Sequence, residues 1–430
     1  MLKRTAFVLA LLLLLALGHD AFAQDGPEGS PIDTLRLDAP ALAHPGSYAI
    51  GVRTLDLVNP GQLDIANAPG GAEIPTYDRP LTVEVWYPAV VAEGTEPAIY
   101  HEMIPDGTTI ALHGVAVRDA VPLTAEGPFP LVILSHGYLG ERYLMSHLGE
   151  HLATWGYVVA SIEHTDSTFD SKGPFASTLV NRPLDQIFVI DQMQAFDADE
   201  TSFLAGLVDA NNVAITGFSM GGYGALNVAG AGYTSAAYGY GVPAGALAGR
   251  QTGNFEADPR VKAVVALAPC CMEGGYWDAE GLAGVHARVL FIAGTNDNIA
   301  GYESGTRAIF EGVVNSDRYL LTLIEASHNV GSMTAPAEIL AQWEESRTAE
   351  DYENWGYYGE PIWDKARMND ILQHFMVAFL NLTLKGDETV APYLDVRVAN
   401  LNDTNEYNTW PGFHPDSKGG LILEHRTPGS

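Results

Sequence analysis

From Phe129 onward the chain repeats one rhythm: a short, unbroken apolar run, then a stretch with helical spacing, then another apolar run. "FPLVILSHG" opens the series at 129–137, and "YLMSHLGEHLATWG" follows with apolar residues recurring at helical intervals. "YVVASIEH", "VAIT", "VKAVVALAP", "RVLFIAGTND" and "RYLLTLIEASH" read as further buried strands, and "RMNDILQHFMVAFLNLTLKG" as an amphipathic helix with Ile371, Leu372, Phe375, Phe379 and Leu382 on one side. Strands without alternation, separated by helices, predict right-handed crossovers and a parallel sheet covered on both faces. Upstream, "YAIGVRTLDLV" and "LTVEVWYP" predict two strands forming an antiparallel N-terminal edge. Residues 92–127 read as irregular. Two segments interrupt the alternation, at about 233–259 (Gly, Ala and Tyr) and 335–366 (Tyr and Trp), and are expected to be loop insertions forming a partial lid.

The first 23 residues stand outside that rhythm. Lys3 and Arg4 precede the apolar run from Ala6 to Leu17 and the small-residue site Ala21-Phe22-Ala23, the plan of a secretory signal cleaved after Ala23. The expectation is therefore a secreted or periplasmic protein with no stable membrane insertion after cleavage. Residues 24–42, rich in Pro, Asp and Gly, read as a flexible leader, and 43–430 as one α/β domain with insertions. The net charge of −31 argues against nucleic acid and anionic membrane surfaces as partners. Only two cysteines occur, adjacent at Cys270 and Cys271, too few for a disulfide framework or a metal cluster. They fit either a vicinal disulfide or two reduced thiols at the end of a buried strand.

The candidate chemistry lies at "AITGFSMGGYGAL", where Gly217, Gly221 and Gly222 surround Ser219 between a strand and a helix of small residues. A strand–Gly-x-Ser-x-Gly–helix unit lifts the serine hydroxyl on a sharp turn and places the Met220 amide at a helix N-terminus, where negative charge is favoured. Such a serine needs a base. In this arrangement an acid and then a histidine follow, each just past a strand. "RVLFIAGTND" delivers Asp297 and "RYLLTLIEASH" delivers His328; His374 lies inside the amphipathic helix, His414 and His425 have no strand delivering them, and Asp317 precedes its strand. A second oxyanion donor is expected after "LVIL", where Gly137 permits a bend and Tyr138 offers its amide, its ring lining the acyl pocket. His136 reads as a structural hydrogen-bonder for that loop.

"GFSMGGYGAL", "LSHGYLGERY", "ASIEHTDST", "NRPLDQ", "IAGTNDNI" and "ASHNVG", in this order, resemble the α/β-hydrolase group of platelet-activating-factor acetylhydrolases and dienelactone hydrolase-like proteins. Tyr138 with Ser219-Met220 is also similar to cutinases and polyester hydrolases. True dienelactone hydrolases carry a cysteine nucleophile where this chain has Ser219. The resemblance implies an α/β-hydrolase fold and a secreted serine carboxylic-ester hydrolase acting on short-to-medium acyl or aromatic esters, including polyester fragments. Ser219, Asp297 and His328 would be catalytic, Tyr138 and Met220 the oxyanion hole, and Tyr138, Trp355 and Trp363 substrate contacts. No metal or other cofactor is required, and the partner is a small or polymeric ester. The competing readings are a platelet-activating-factor acetylhydrolase-like lipid esterase, a peptidase or acyltransferase on the same triad, and a non-catalytic secreted binding protein.

Overall fold

A computed structural model describes residues 30–68, 73–254, 256–395, 410–414, 416–417 and 419–430. The expected export signal lies outside these residues. The strands are β1 (Ser30–Pro31), β2 (Ile50–Leu63), β3 (Thr76–Val90), β4 (Ile99–Met103), β5 (Thr109–His113), β6 (Val117–Arg118), β7 (Val121–Pro122), β8 (Phe129–Ser135), β9 (Val158–Glu163), β10 (Val208–Phe218), β11 (Val261–Leu267), β12 (Arg288–Gly294), β13 (Arg318–Leu323) and β14 (Leu421–Arg426). The helices used below are α1 (Ser146–Thr154), α2 (Phe175–Ala198), α3 (Met220–Val228), α4 (Ala279–Leu282), α5 (Ala308–Gly312), α6 (Ala337–Glu345), α7 (Ala349–Tyr358) and α8 (Lys365–Leu384).

The central sheet runs β14-β13-β12-β11-β10-β8-β9-β3-β2-β6, with β7 paired to β3. Its middle, from β13 to β9, is parallel, and β2 and β3 form the expected antiparallel edge. β14 closes the other edge antiparallel to β13. Side chains alternate across it as a pleated strand requires. In β8, Val132 and Leu134 face a core shared with α1 and α8, whereas Leu131 and Ile133 face α2 and α3. Both faces are covered, so the buried strands carry apolar residues at nearly every position.

Three segments differ from the sequence reading. Residues 30–42 are held rather than flexible: Ile32 is buried and donates to the His113 carbonyl, Gln373 donates to Asp33, and the Leu42 amide donates to His374 Nδ1. Residues 92–127 are not irregular, since β4 and β5 form a hairpin that β1 joins as a third strand. Its turn, Pro105-Asp106-Gly107, has Gly107 at φ +84°, where glycine carries no steric penalty. Within 335–366 the chain is largely helical. Thr348 and Asp351 close a reciprocal capping box that starts α7, a signal present in "TAED". The earlier insertion contains short 3-10 turns, and its Tyr233 stacks on Tyr223 of α3, with ring centroids 4.8 Å apart.

Candidate active site

Ser219 follows β10 and precedes α3 with a positive φ, 54°, and ψ −111°. The flanking glycines are sterically required. A Cβ on Gly217 would lie 2.2 Å from the Gly221 carbonyl carbon, and one on Gly221 would lie 1.8 Å from the Ser135 carbonyl oxygen. Strand and helix thus pass too close for any side chain at those two positions. The Ser219 carbonyl accepts from the amides of Tyr223 and Cys270, both at 3.1 Å. Cys270 and Cys271 are joined as a vicinal disulfide, and Cys271 Sγ lies 3.5 Å from Met220 Sδ.

Asp297 and His328 arrive from the carboxyl ends of adjacent parallel strands, β12 and β13. His328 Nδ1 lies 2.9 Å from Asp297 Oδ2, and Asp297 Oδ1 accepts from the amides of Ile299 and Ala300, each at 2.9 Å. Burial pushes the Asp297 carboxyl up. The His328 hydrogen bond and charge and the two amides outweigh it, holding the group below the usual carboxylate range. An ionised Asp297 requires a proton on Nδ1, which leaves Nε2 free to accept one. The His328 ring packs against Phe218, the residue before the serine, at 5.1 Å between centroids. Glu360 steadies the histidine's loop, accepting from the Ser327 amide at 2.9 Å and its hydroxyl at 2.6 Å.

The competing groups are accounted for elsewhere. Asp317 pairs with His425 at 2.6 Å and with Arg288 at 3.0 Å, His425 stacks on Tyr319, and His414 lies on the surface. His374 is buried among Phe375, Tyr393 and Phe413, and burial lowers it to about 3.

The loop after β8 abuts the Ser219 turn, since a Cβ on Gly137 would touch Ser219 Cβ at 3.4 Å. The Tyr138 ring meets Phe175 edge-on and its hydroxyl donates to the Gly173 carbonyl at 3.2 Å. Beneath this loop lies a buried polar network. His136 Nδ1 donates to the Gly137 carbonyl at 2.7 Å, and its Nε2 accepts from the His164 amide at 3.2 Å. His164 bridges Ser135 Oγ at 2.8 Å and Asp185 at 2.9 Å, and Asp185 also takes two hydrogen bonds from Arg79. Ser135, His164 and Asp185 therefore reproduce a triad's connectivity, but all three are buried. Burial, aided by Arg182, keeps both imidazoles well below the ordinary histidine range and so neutral. Sequence reading gave His136 its structural role and missed Arg182, Asp185 and Gln186. "NRPLDQ" was the available signal, since charged residues in an otherwise apolar helix need partners.

A cavity of about 450 Å³ opens beside His328, walled by Tyr352, Trp355, Ile299 and Ile362 among others. It takes in His328 but not Ser219. Trp355 lines this cavity, near Trp343 and Tyr352. Trp363 does not. Its indole is buried, donates to the Ile324 carbonyl at 2.7 Å and lies under Arg367, so it is a packing residue. Among the described residues no group of three or more His, Cys, Asp or Glu side chains is placed to hold a metal ion.

A sheet with helices on both faces and a serine, an acid and a histidine at the carboxyl ends of its parallel strands, here β10, β12 and β13, is the α/β-hydrolase fold. Residues 116–240, which contain Tyr138, Ser219 and Met220, match the family model described as PETase, PET hydrolase-like. A ferulic acid esterase from Streptomyces cinnamoneus has a similar structure, with a TM-score of 0.54 and 22% identity over 81% of this chain and 94% of that one. No curated protein matches the chain by sequence. The family match, with the shared fold, supports an ester hydrolase.

Proposed function

We propose that the protein is an exported serine carboxylic-ester hydrolase working through an acyl-enzyme. Ser219 Oγ attacks the ester carbonyl carbon while His328 Nε2 takes its proton. The amides of Tyr138 and Met220 hold the oxyanion. Collapse of the intermediate breaks the carbon–oxygen bond, and the departing alkoxide takes the proton from His328. Water, deprotonated by the same imidazole, then releases the acid and restores the serine. Asp297 keeps the ring's tautomer and stabilises its cation. The observation that carries this reading is the 2.9 Å Asp297–His328 pair at the sheet edge where the strained Ser219 turn stands.

The cavity's position supports a statement about substrate. His328 hands its proton to the leaving alcohol, so the alcohol portion of an ester lies on the histidine's side. Tyr352 and Trp355 there suit an aromatic or bulky apolar alcohol, and the acyl portion, on the Tyr138 side, is short to medium. Phenyl and benzyl esters of short-chain acids are the matching trial substrates; esters of ferulic acid and soluble fragments of aromatic polyesters, whose rings lie on the acyl side, are the contrasting ones. The test is hydrolysis of p-nitrophenyl butyrate by the purified protein and by Ser219→Ala. The variant should fold normally and lose roughly 10³-fold or more in kcat. Comparable turnover by a well-folded Ser219→Ala would end the serine mechanism.

A further inference from the structure

We infer that Arg182 is a positioning residue for ester hydrolysis: from beneath the active site its guanidinium sets the direction of the Tyr138 amide. The inference rests on the proposed oxyanion hole. Arg182 lies on α2, 1% exposed, and donates through Nη1 to the His136 carbonyl and through Nη2 to the Gly137 carbonyl at 3.3 Å. In a trans peptide the carbonyl oxygen and the following N–H point in opposite directions from one plane. The Gly137–Tyr138 peptide is trans. Drawing the Gly137 oxygen down toward Arg182 and His136 Nδ1 therefore turns the Tyr138 N–H up, away from α2.

The same turn of α2 supports the other half of the site. Gln186 Nε2 donates to the Gly221 carbonyl at 3.0 Å, and the Arg182 stem and the Gln186 amide lie where a Cβ on Gly224 would fall. Arg182 is thus wedged between the loop after β8 and the first turns of α3. Its third donor, Nε, has no hydrogen-bond partner. A guanidinium left partly unsatisfied in the interior is costly. Packing alone would be served by an apolar side chain of similar length. The two carbonyl contacts are what a forked cation supplies and a single-point ammonium does not.

The test compares the wild type with Arg182→Met and Arg182→Lys, using p-nitrophenyl butyrate and an alkyl boronic acid, whose tetrahedral serine adduct places an oxygen in the oxyanion hole. Active sites are counted by fluorophosphonate titration, so rates refer to folded molecules alone. Arg182→Met should lower kcat about 100-fold with KM within about twofold. Its boronate inhibition constant should rise in step with the fall in kcat/KM, and Arg182→Lys should recover part of both. A kcat per titrated site within twofold of wild type in either variant overturns the inference. So does a loss confined to KM, or boronate affinity that stays unchanged while activity falls. Ser219→Ala, run alongside, separates the two claims: if it stays active, the oxyanion-hole reading fails before Arg182 is at issue.

Discussion

Glu102 should make the protein lose stability as pH rises from mildly acidic to alkaline, and Glu102→Gln should remove that loss. The residue sits on β4, almost fully buried, with neither carboxylate oxygen hydrogen-bonded. Burial pushes it from the ordinary 4.5 up to about 8, against the smaller opposing effects of the Tyr358 hydroxyl and the Arg142 charge; Glu163 adds to the rise. The folded protein thus keeps a proton that the unfolded chain releases above 4.5. The favourable contribution is complete below pH 4.5 and is lost as pH climbs to 8. The interval from 4.5 to about 8, at about 1.4 kcal/mol per pH unit, bounds the loss at about 5 kcal/mol. Glu141, pushed up to about 9 by burial and Glu163, acts in the same direction, so only the difference between variant and wild type isolates Glu102. Urea unfolding of both proteins at pH 5, 6, 7, 8 and 9 measures it. Glu102→Gln should gain progressively on the wild type up to pH 8 and then run parallel to it. A difference that does not change with pH refutes the reasoning. Because Tyr358 ends the helix that carries Tyr352 and Trp355, the wild type's cavity should loosen over the same interval.

Trp355→Ala should raise KM for esters with an aromatic alcohol several-fold more than for methyl or ethyl esters, at nearly constant melting temperature. Equal effects on both classes would make Trp355 a packing residue. Trp363→Ala should do the reverse, lowering stability by about 3–5 kcal/mol, as loss of a buried indole does, without altering the ratio of KM values between ester classes; a changed ratio would return it to the site. The exported chain should begin at Gln24, which N-terminal sequencing of the secreted protein reads directly, and a start at Met1 would refute the cleavage site.

Much of the site was legible because its constraints are local. Gly217 is demanded by backbone passing backbone within a few residues of Ser219, and such a demand appears in the sequence as glycine, whereas Gly221 answers to the Ser135 carbonyl of the neighbouring strand β8. Asp297 and His328 could be found by order alone, since parallel strands joined by right-handed crossovers bring their carboxyl ends to one edge. The helical α7 was also written locally, in its Thr348–Asp351 cap, although the density of aromatic residues suggested a loop. What the sequence could not decide was which side chains meet across the sheet. Arg182 reaches carbonyls 45 and 46 residues away, and Tyr358 meets Glu102 from a distant part of the chain. Trp355 and Trp363 are alike in the sequence, yet one walls a cavity and the other is buried under Arg367. Such contacts follow from strand register and helix packing, which bring together residues that carry no mark of each other along the chain. The sequence by itself determined the alternation of strand and helix, the serine turn and the order in which Asp297 and His328 follow it; only the tertiary structure decided what holds the Tyr138 loop, because a buried cation shows its purpose only through the groups it touches.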